Sequence, residues 1–451
     1  MNRVLLAALL ASMLIGSTAP AQKTREEKVR GDKAKVEAAG FWIYNDLPKG
    51  YAQAKESGKP IVVVLRCIPC EECVKLDDDL VDQDKRLQAL LEKFVRVRII
   101  STNGLDLSLF QFDTDQSFAV FLLNADGTIY GRYGTRSDHS YWADDVSLEG
   151  LAKALEGALA LHKDYPKNKA ALAAKKGPAP DFPVPEKFPL LKDKFGSQLN
   201  YEGNVVQSCI HCHQIGDAQR EYYRGKGGAL PEKVLFPYPH PKAVGLILDP
   251  KERATVLRVD DGSLAAKAGF RAGDVIQKLE GQPLLSMADV QWVLHHVPAD
   301  GGSVKASVQR SATGGGLRDG KAAEITLDLP KGWRQLDDIA WRASSWELRR
   351  RGLGGMLLKN VSPELRAERK LPAEGMALRI EHLGQYPPHN LAQQAGFQKN
   401  DVLVSFDGRT DLARETDLLY YALNEVKRGS TVPVEILREG KKMTLKLPVA
   451  E

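Results

Sequence analysis

The sequence predicts a multidomain fold: an α/β unit, then a short cysteine-bearing helical segment, then two strand-rich α+β units. Three observations carry this. The apolar run Ile61-Val-Val-Val-Leu65 is followed by a second one, Phe118-Ala-Val-Phe-Leu-Leu123, and by a turn at Asn124-Ala-Asp-Gly127, which together mark a buried strand and a hairpin. A stretch rich in Pro, Lys and Ala follows, with Pro178, Pro180, Pro183, Pro185 and Pro189. Beyond it the chain repeats itself: Ala265-Ala-Lys-Ala-Gly-Phe-Arg-Ala-Gly-Asp-Val-Ile276 returns as Ala392-Gln-Gln-Ala-Gly-Phe-Gln-Lys-Asn-Asp-Val-Leu403.

The N-terminus comes first in order. Asn2 and Arg3 precede an apolar run from Val4 to Ile15 and a small-residue site, Ala19-Pro20-Ala21, the three-part layout of a secretory signal peptide over residues 1–21. The mature chain is expected to be periplasmic or secreted, with no membrane span once the signal is cleaved. The first cysteine is Cys67, so none stands at the cleavage site to take a lipid. At 451 residues the chain has room for about three domains. Its 63 basic and 58 acidic residues leave a formal charge of +5, without a basic block or a nucleic-acid motif, so no DNA or RNA partner is expected. Five cysteines in two tight clusters point to chemistry at two places and away from a distributed disulfide framework.

After a charged lead-in (Lys23 to Lys35), residues 38–163 read as the α/β unit. It has a helix around Tyr51 to Ser57, the first apolar strand, helical stretches flanking Arg96-Val-Arg-Ile-Ile100, the hairpin, and a closing helix from Leu148 to His162. Residues 164–189 read as an extended, stiff linker. Residues 190–242 hold the second cysteine cluster, and the two repeated units occupy 243–333 and 350–449.

The order helix, Lys59-Pro60, apolar strand, cysteine cluster and Asp126-Gly127 hairpin resembles the thioredoxin fold over about 120 residues. Cys67-Ile-Pro-Cys70-Glu-Glu-Cys73 offers two overlapping C-x-x-C pairs. The resemblance places the redox pair at Cys70 and Cys73, with Cys67 and Cys70 as the alternative. A thiol at a helix N-terminus ionises readily, but Glu71 and Glu72 oppose that, and Ser117 or Phe118 stands where the fold usually has a cis-proline. A structural disulfide with a leftover thiol, or a three-thiolate metal site, is the competing reading.

Cys209-Ile-His-Cys212-His213 has the C-x-x-C-H spacing, in which two thiols bond to haem vinyl groups and the adjacent histidine ligates the iron. The stretch through Gly216 resembles small class I cytochromes c. It predicts a covalent haem c on Cys209, Cys212 and His213. No methionine lies between Cys212 and Met287, so His240 is the nearest candidate for a sixth ligand. A plain disulfide, or a zinc site that also uses His211, competes with haem.

Both repeated units resemble PDZ domains of the permuted bacterial kind. The resemblance implies that a peptide adds as a strand beside a carboxylate-binding loop. The matching loops are Gly245-Leu246-Ile247-Leu248 and Gly354-Gly355-Met356-Leu357. Expected partners are C-terminal or extended peptides of exported proteins. Bacterial PDZ pairs often accompany exported serine proteases, but no Gly-x-Ser-Gly-Gly nucleophile loop is present, and that activity is excluded on sequence. The arrangement as a whole looks like a family of exported bacterial proteins fusing these parts. The functional expectation is electron transfer or thiol redox chemistry with PDZ-mediated partner binding. A non-enzymatic PDZ adaptor is the alternative, and a haem-based gas or redox sensor a third reading.

Overall fold

The computed structural model describes residues 24–66, 68, 84–116, 118–137, 145–310 and 321–450. The charged lead-in is a helix, α1 (Arg25–Ala39), started by a reciprocal cap between Thr24 and Glu27. β1 (Ile43–Tyr44), α2 (Leu47–Ser57), β2 (Ile61–Arg66), α3 (Lys85–Leu91), β3 (Val95–Ile99), β4 (Phe118–Leu123), β5 (Ile129–Tyr133) and α4 (Leu148–Lys163) form the α/β unit. Its sheet runs β1-β3-β2-β4-β5, with β1, β3 and β2 parallel and β4 and β5 antiparallel. Every residue of β2 is buried, as expected for a central strand covered on both faces. One face packs Val62 and Val64 against α3 and α4 through Leu87, Leu91, Leu151 and Leu155. The other packs Val63, Leu65 and Val97 against α2, which approaches so closely that a Cβ on Gly50 would lie 2.5 Å from Val97 Cγ2.

The second cysteine cluster also docks on that α2 face. α5 (Cys212–Gly225) sends Ile215 and Ala218 into the core formed by Phe110, Phe112 and Phe121, and Ile210 joins them from the preceding turn. The segment therefore shares the sheet's own core. The Pro-rich stretch before it is not the free spacer its composition predicts. It folds back through a short helix, Lys169–Leu172, and buries the whole of Lys175.

The first repeat contains β6 (Leu246–Leu248), β7 (Val256–Val259), α6 (Leu264–Ala268), β8 (Val275–Leu279), β9 (Gln282–Pro283), α7 (Met287–His296), β10 (Gly302–Arg310) and β11 (Lys321–Leu329). β6 pairs with β7, and the larger sheet runs β11-β10-β8-β9. The second contains α8 (Ser345–Leu353), β12 (Met356–Asn360), β13 (Leu378–Leu383), α9 (Leu391–Gln394), β14 (Val402–Phe406), α10 (Glu415–Asn424), β15 (Thr431–Arg438) and β16 (Lys441–Pro448), in one sheet of order β12-β13-β14-β15-β16.

The repeat extends to its polar clamps. Arg310 grips Asp274 with two bonds of 2.8 Å and donates to Gly269 O at 2.9 Å. Arg438 grips Asp401 at 2.8 and 2.7 Å and donates to Gly396 O at 2.8 Å. In each unit a fork-to-fork pair ties the end of the next-to-last strand, β10 or β15, to the Ala-Gly-Phe turn.

The units are joined by polar contacts. α7 is buried from Met287 to Leu294 because it lies between its own core and the outer edge of β5. Ser286 Oγ donates to Arg132 O (2.6 Å), and Arg132 N donates to Asp289 Oδ1 (3.2 Å). These two side chains take the backbone groups that an open sheet edge leaves unpaired. Farther along, Arg342 holds Asp113 at 2.6 and 2.7 Å, and Ser344 donates to Asp115 from both its backbone N (2.9 Å) and its Oγ (2.8 Å).

Candidate functional site

The first cysteine cluster, Cys67, Cys70 and Cys73, lies outside the described residues, as does Ser117; Phe118 is the first residue of β4. The second cluster is described in full. Its approach is strapped to the loop after β3: Thr102 donates to Ile210 O from its N (3.1 Å) and its Oγ1 (2.9 Å), and Asn103 Oδ1 accepts from Ile210 N (2.8 Å). α1 reaches the same segment, where the Glu26 carboxylate accepts from Val205 N (3.0 Å) and Val206 N (3.1 Å).

Cys209 is only 7 % exposed, and burial pushes its thiol pKa up against a hydrogen bond with Ser101. Cys212 opens α5 and packs partly against the core. The His213 side chain is half-exposed, and its pKa is raised by its contact with Asp217, 3.4 Å away. The His211 ring lies parallel to that of His213, centroids 5.9 Å apart, and burial pulls His211 down to about 4.

His240 is buried between the α/β unit and the first repeat. Its Nδ1 accepts from Lys242 N (3.2 Å), and its Nε2 faces Asp145 at 3.4 Å. The Nε2–Asp145 approach is an ion-pair distance and not a hydrogen bond, and the ring is buried. Cys209 is buried beside Ser101, whereas Cys212 is only partly covered. Among the described residues no group of three or more His, Cys, Asp and Glu side chains is placed to hold a metal ion.

The peptide loops are built differently in the two repeats. Gly245 adopts φ 77° at the end of a short turn, Pro241–Val244, and a Cβ there would lie 2.2 Å from Ser263 Cβ. Gly245 O accepts from Asp260 N (2.9 Å), and β6 follows, laddered to β7 through Leu246–Val259 and Ile247–Arg258. Among the described residues no strand pairs with the other edge of β6, and no side chain hydrogen-bonds to its backbone. In the second repeat Gly354 (φ 58°) and Gly355 (φ 87°) precede β12, and a Cβ on Gly355 would fall 1.8 Å from His389 O. Met356 and Leu357 pair with Leu383 and His382. On the outer edge of β12, Leu358 N donates to Glu415 Oε1 at 2.8 Å.

Family models match a thioredoxin-like domain over residues 42–125 and PDZ domains over 255–300 and 388–449. The chain carries a thioredoxin-like domain and two PDZ domains. Among curated proteins it is similar to a probable periplasmic serine protease do/HhoA-like of Haemophilus influenzae, 25 % identical over 213 residues, covering 47 % of this chain and 37 % of that one. It is also similar to the periplasmic pH-dependent serine endoprotease DegQ of Escherichia coli, 31 % identical over 157 residues, covering 35 % and 29 %. The E. coli periplasmic serine endoprotease DegP is 37 % identical over 87 residues, covering 19 % and 16 %. The chain thus spans between 16 % and 37 % of the length of these relatives. A solved structure, HtrA-type protease AlgW with decapeptide, matches at 15 % identity and a TM-score of 0.20, over 33 % of this chain and 55 % of that one.

These findings correct the expectations about cofactor, function and protease chemistry. Covalent haem c on Cys209, Cys212 and His213, with His240 as its sixth ligand, is withdrawn together with electron transfer, since the relatives are named as serine proteases and no metal-holding group is found among the described residues. Thiol redox chemistry and the adaptor reading fall with it as accounts of the chain's function. The exclusion of serine-protease chemistry is withdrawn as well, because the matched relatives are named as serine proteases. The periplasmic location read from the N-terminus agrees with all three relatives, and among the described residues no helix is long and apolar enough to cross a membrane.

Two elements escaped the reading of the sequence. The Glu415–Leu358 contact had one signal, an acid opening α10 where α7 opens with Met287. The Ser286–Asp289 cap on β5 had none, since its partner is a backbone edge more than 150 residues away.

Proposed function

We propose that this is a periplasmic peptide-binding protein that captures the C-terminal ends of exported polypeptides on its first PDZ domain, at Gly245, Leu246, Ile247 and Leu248. The observation that carries the reading is the pairing of a left-handed Gly245 with an edge strand whose second edge bears no strand among the described residues. A peptide laid along that edge gains main-chain hydrogen bonds, and the buried Leu246 and Leu248 beside it supply an apolar floor. The curated relatives, all named as serine proteases, support a polypeptide as the ligand class.

The test is fluorescence anisotropy of a labelled decapeptide ending in leucine, titrated with the full chain, in free-acid and C-terminally amidated forms. Saturable binding is expected. Amidation removes a charge-assisted contact worth ~1.5–3 kcal/mol and weakens binding roughly tenfold or more. Equal binding of the two forms, or none, refutes the proposal.

A further inference from the structure

The two PDZ domains differ where a peptide strand would lie, and the geometry points to a division of labour: the second domain is closed by its own Glu415, so that the chain takes one peptide and not two. This inference rests on the reading of the first domain as a peptide binder.

Gly355, Met356, Leu357 and Leu358 repeat Gly245, Leu246, Ile247 and Leu248. Gly355 O accepts from Gly384 N (3.0 Å) just as Gly245 O accepts from Asp260 N, and each strand breaks register before its fourth residue, between Leu357 and Leu358 or Ile247 and Leu248. Leu358 N thus faces away from β13, into the slot between β12 and α10. There it donates to Glu415 Oε1 at 2.8 Å.

Glu415 is held in that position. Arg349, on α8, reaches it with Nε to Oε1 at 2.9 Å and Nη2 to Oε2 at 2.6 Å. Arg349 Nη2 also donates to Ala340 O at 2.6 Å. The ion pair is almost sealed from solvent, with side-chain exposures of 3 % and 4 %. A carboxylate so fixed takes the donor an added strand would use and opposes the approach of a peptide carbonyl. The same helical position in the first domain is Met287, which has only a weakly accepting thioether in place of the carboxylate.

The experiment compares the full-length chain with Glu415→Ala and with the double variant Arg349→Met/Glu415→Ala, which removes both buried charges and guards against misfolding from a lone guanidinium. The probe is the leucine-ending decapeptide carrying a photoreactive side chain. Native mass spectrometry counts bound peptides, cross-linking locates them, and hydrogen exchange follows the Leu358 amide.

The wild type is expected to bind one peptide, cross-linked near β6, with a protected Leu358 amide. The variants are expected to bind two, with cross-links near β12 and at least tenfold faster exchange at Leu358. Two peptides on the wild type, or one on a folded variant, overturns the inference. If no form binds peptide, the reading of the first domain fails, and the amide decides the closure: unchanged exchange in both variants overturns it, and faster exchange supports it.

Discussion

Lys175 Nζ stands 2.9 Å from Asp289 Oδ1, and neither side chain is more than 1 % exposed. The lysine comes from the Pro-rich stretch and the aspartate from α7, so the pair fastens two segments that sequence composition alone sets apart. Asp289 also accepts from Leu285 N (2.9 Å) and Arg132 N (3.2 Å), which leaves its carboxylate well satisfied.

Breaking this pair from one side is expected to be severe. Asp289→Asn leaves a buried lysine without its counter-charge and should destabilise the chain by about 3–5 kcal/mol, whereas Lys175→Met/Asp289→Asn should recover part of that loss. Urea unfolding of the full chain, followed by fluorescence of the tryptophans, reads the difference. A change below about 1 kcal/mol for Asp289→Asn would remove the pair from the account of domain docking.

The repeated clamps predict matched effects. Arg310→Met and Arg438→Met each release a buried aspartate, Asp274 or Asp401, and each should lower stability by roughly 1–3 kcal/mol. Two variants differing by more than a few kcal/mol would show that the clamps are alike in geometry only.

Asp337 gives a pH dependence with a definite sign. Burial pushes its pKa up from 3.8 to about 7. The folded state then holds a proton that the unfolded chain has lost between about pH 4 and pH 7, so this group's contribution is fully present below pH 4 and is lost as pH rises through 7, with a slope of at most ~1.4 kcal/mol per pH unit. Asp337→Asn keeps the oxygen that accepts from His240 N and removes the titration. The variant should match the wild type near pH 4 and exceed it at pH 8 in thermal unfolding. A wild type as stable as the variant at pH 8 would contradict the assignment.

Cys209 should alkylate slowly. Burial both shields the thiol and raises its pKa, so iodoacetamide at pH 7.5 should modify it at least tenfold more slowly in the folded, reduced chain than in urea. Peptide mapping by mass spectrometry reports the rate, and modification as fast as in urea would show that the segment opens readily.

Local patterns in the sequence carried the strands, and long-range contacts did not. The run Ile61 to Leu65 and the hairpin after Phe118 announced β2, β4 and β5 because a buried strand must be apolar and a turn must carry its own special residues. The Ala-Gly-Phe repeat located both PDZ domains, since its glycines and aspartates serve local geometry. The C-x-x-C-H spacing misled because spacing reports a helix turn and says nothing about which way Cys209 faces. That direction is set by Ser101, Thr102 and Asn103, more than a hundred residues upstream. Asp113, Asp115, Arg342 and Ser344 were equally silent, as four ordinary polar residues until the fold brings them together.

The cap that Ser286 and Asp289 place on β5 bears on how such a chain can be cut and recombined. An excised first PDZ domain would carry a raw aspartate on a helix face that is normally buried, and the remaining sheet would end in a naked strand inviting a neighbour to stack on it. The domain is thus no interchangeable cassette. A functional transplant would have to carry β4, β5 and the stretch bearing Lys175 along with the peptide slot.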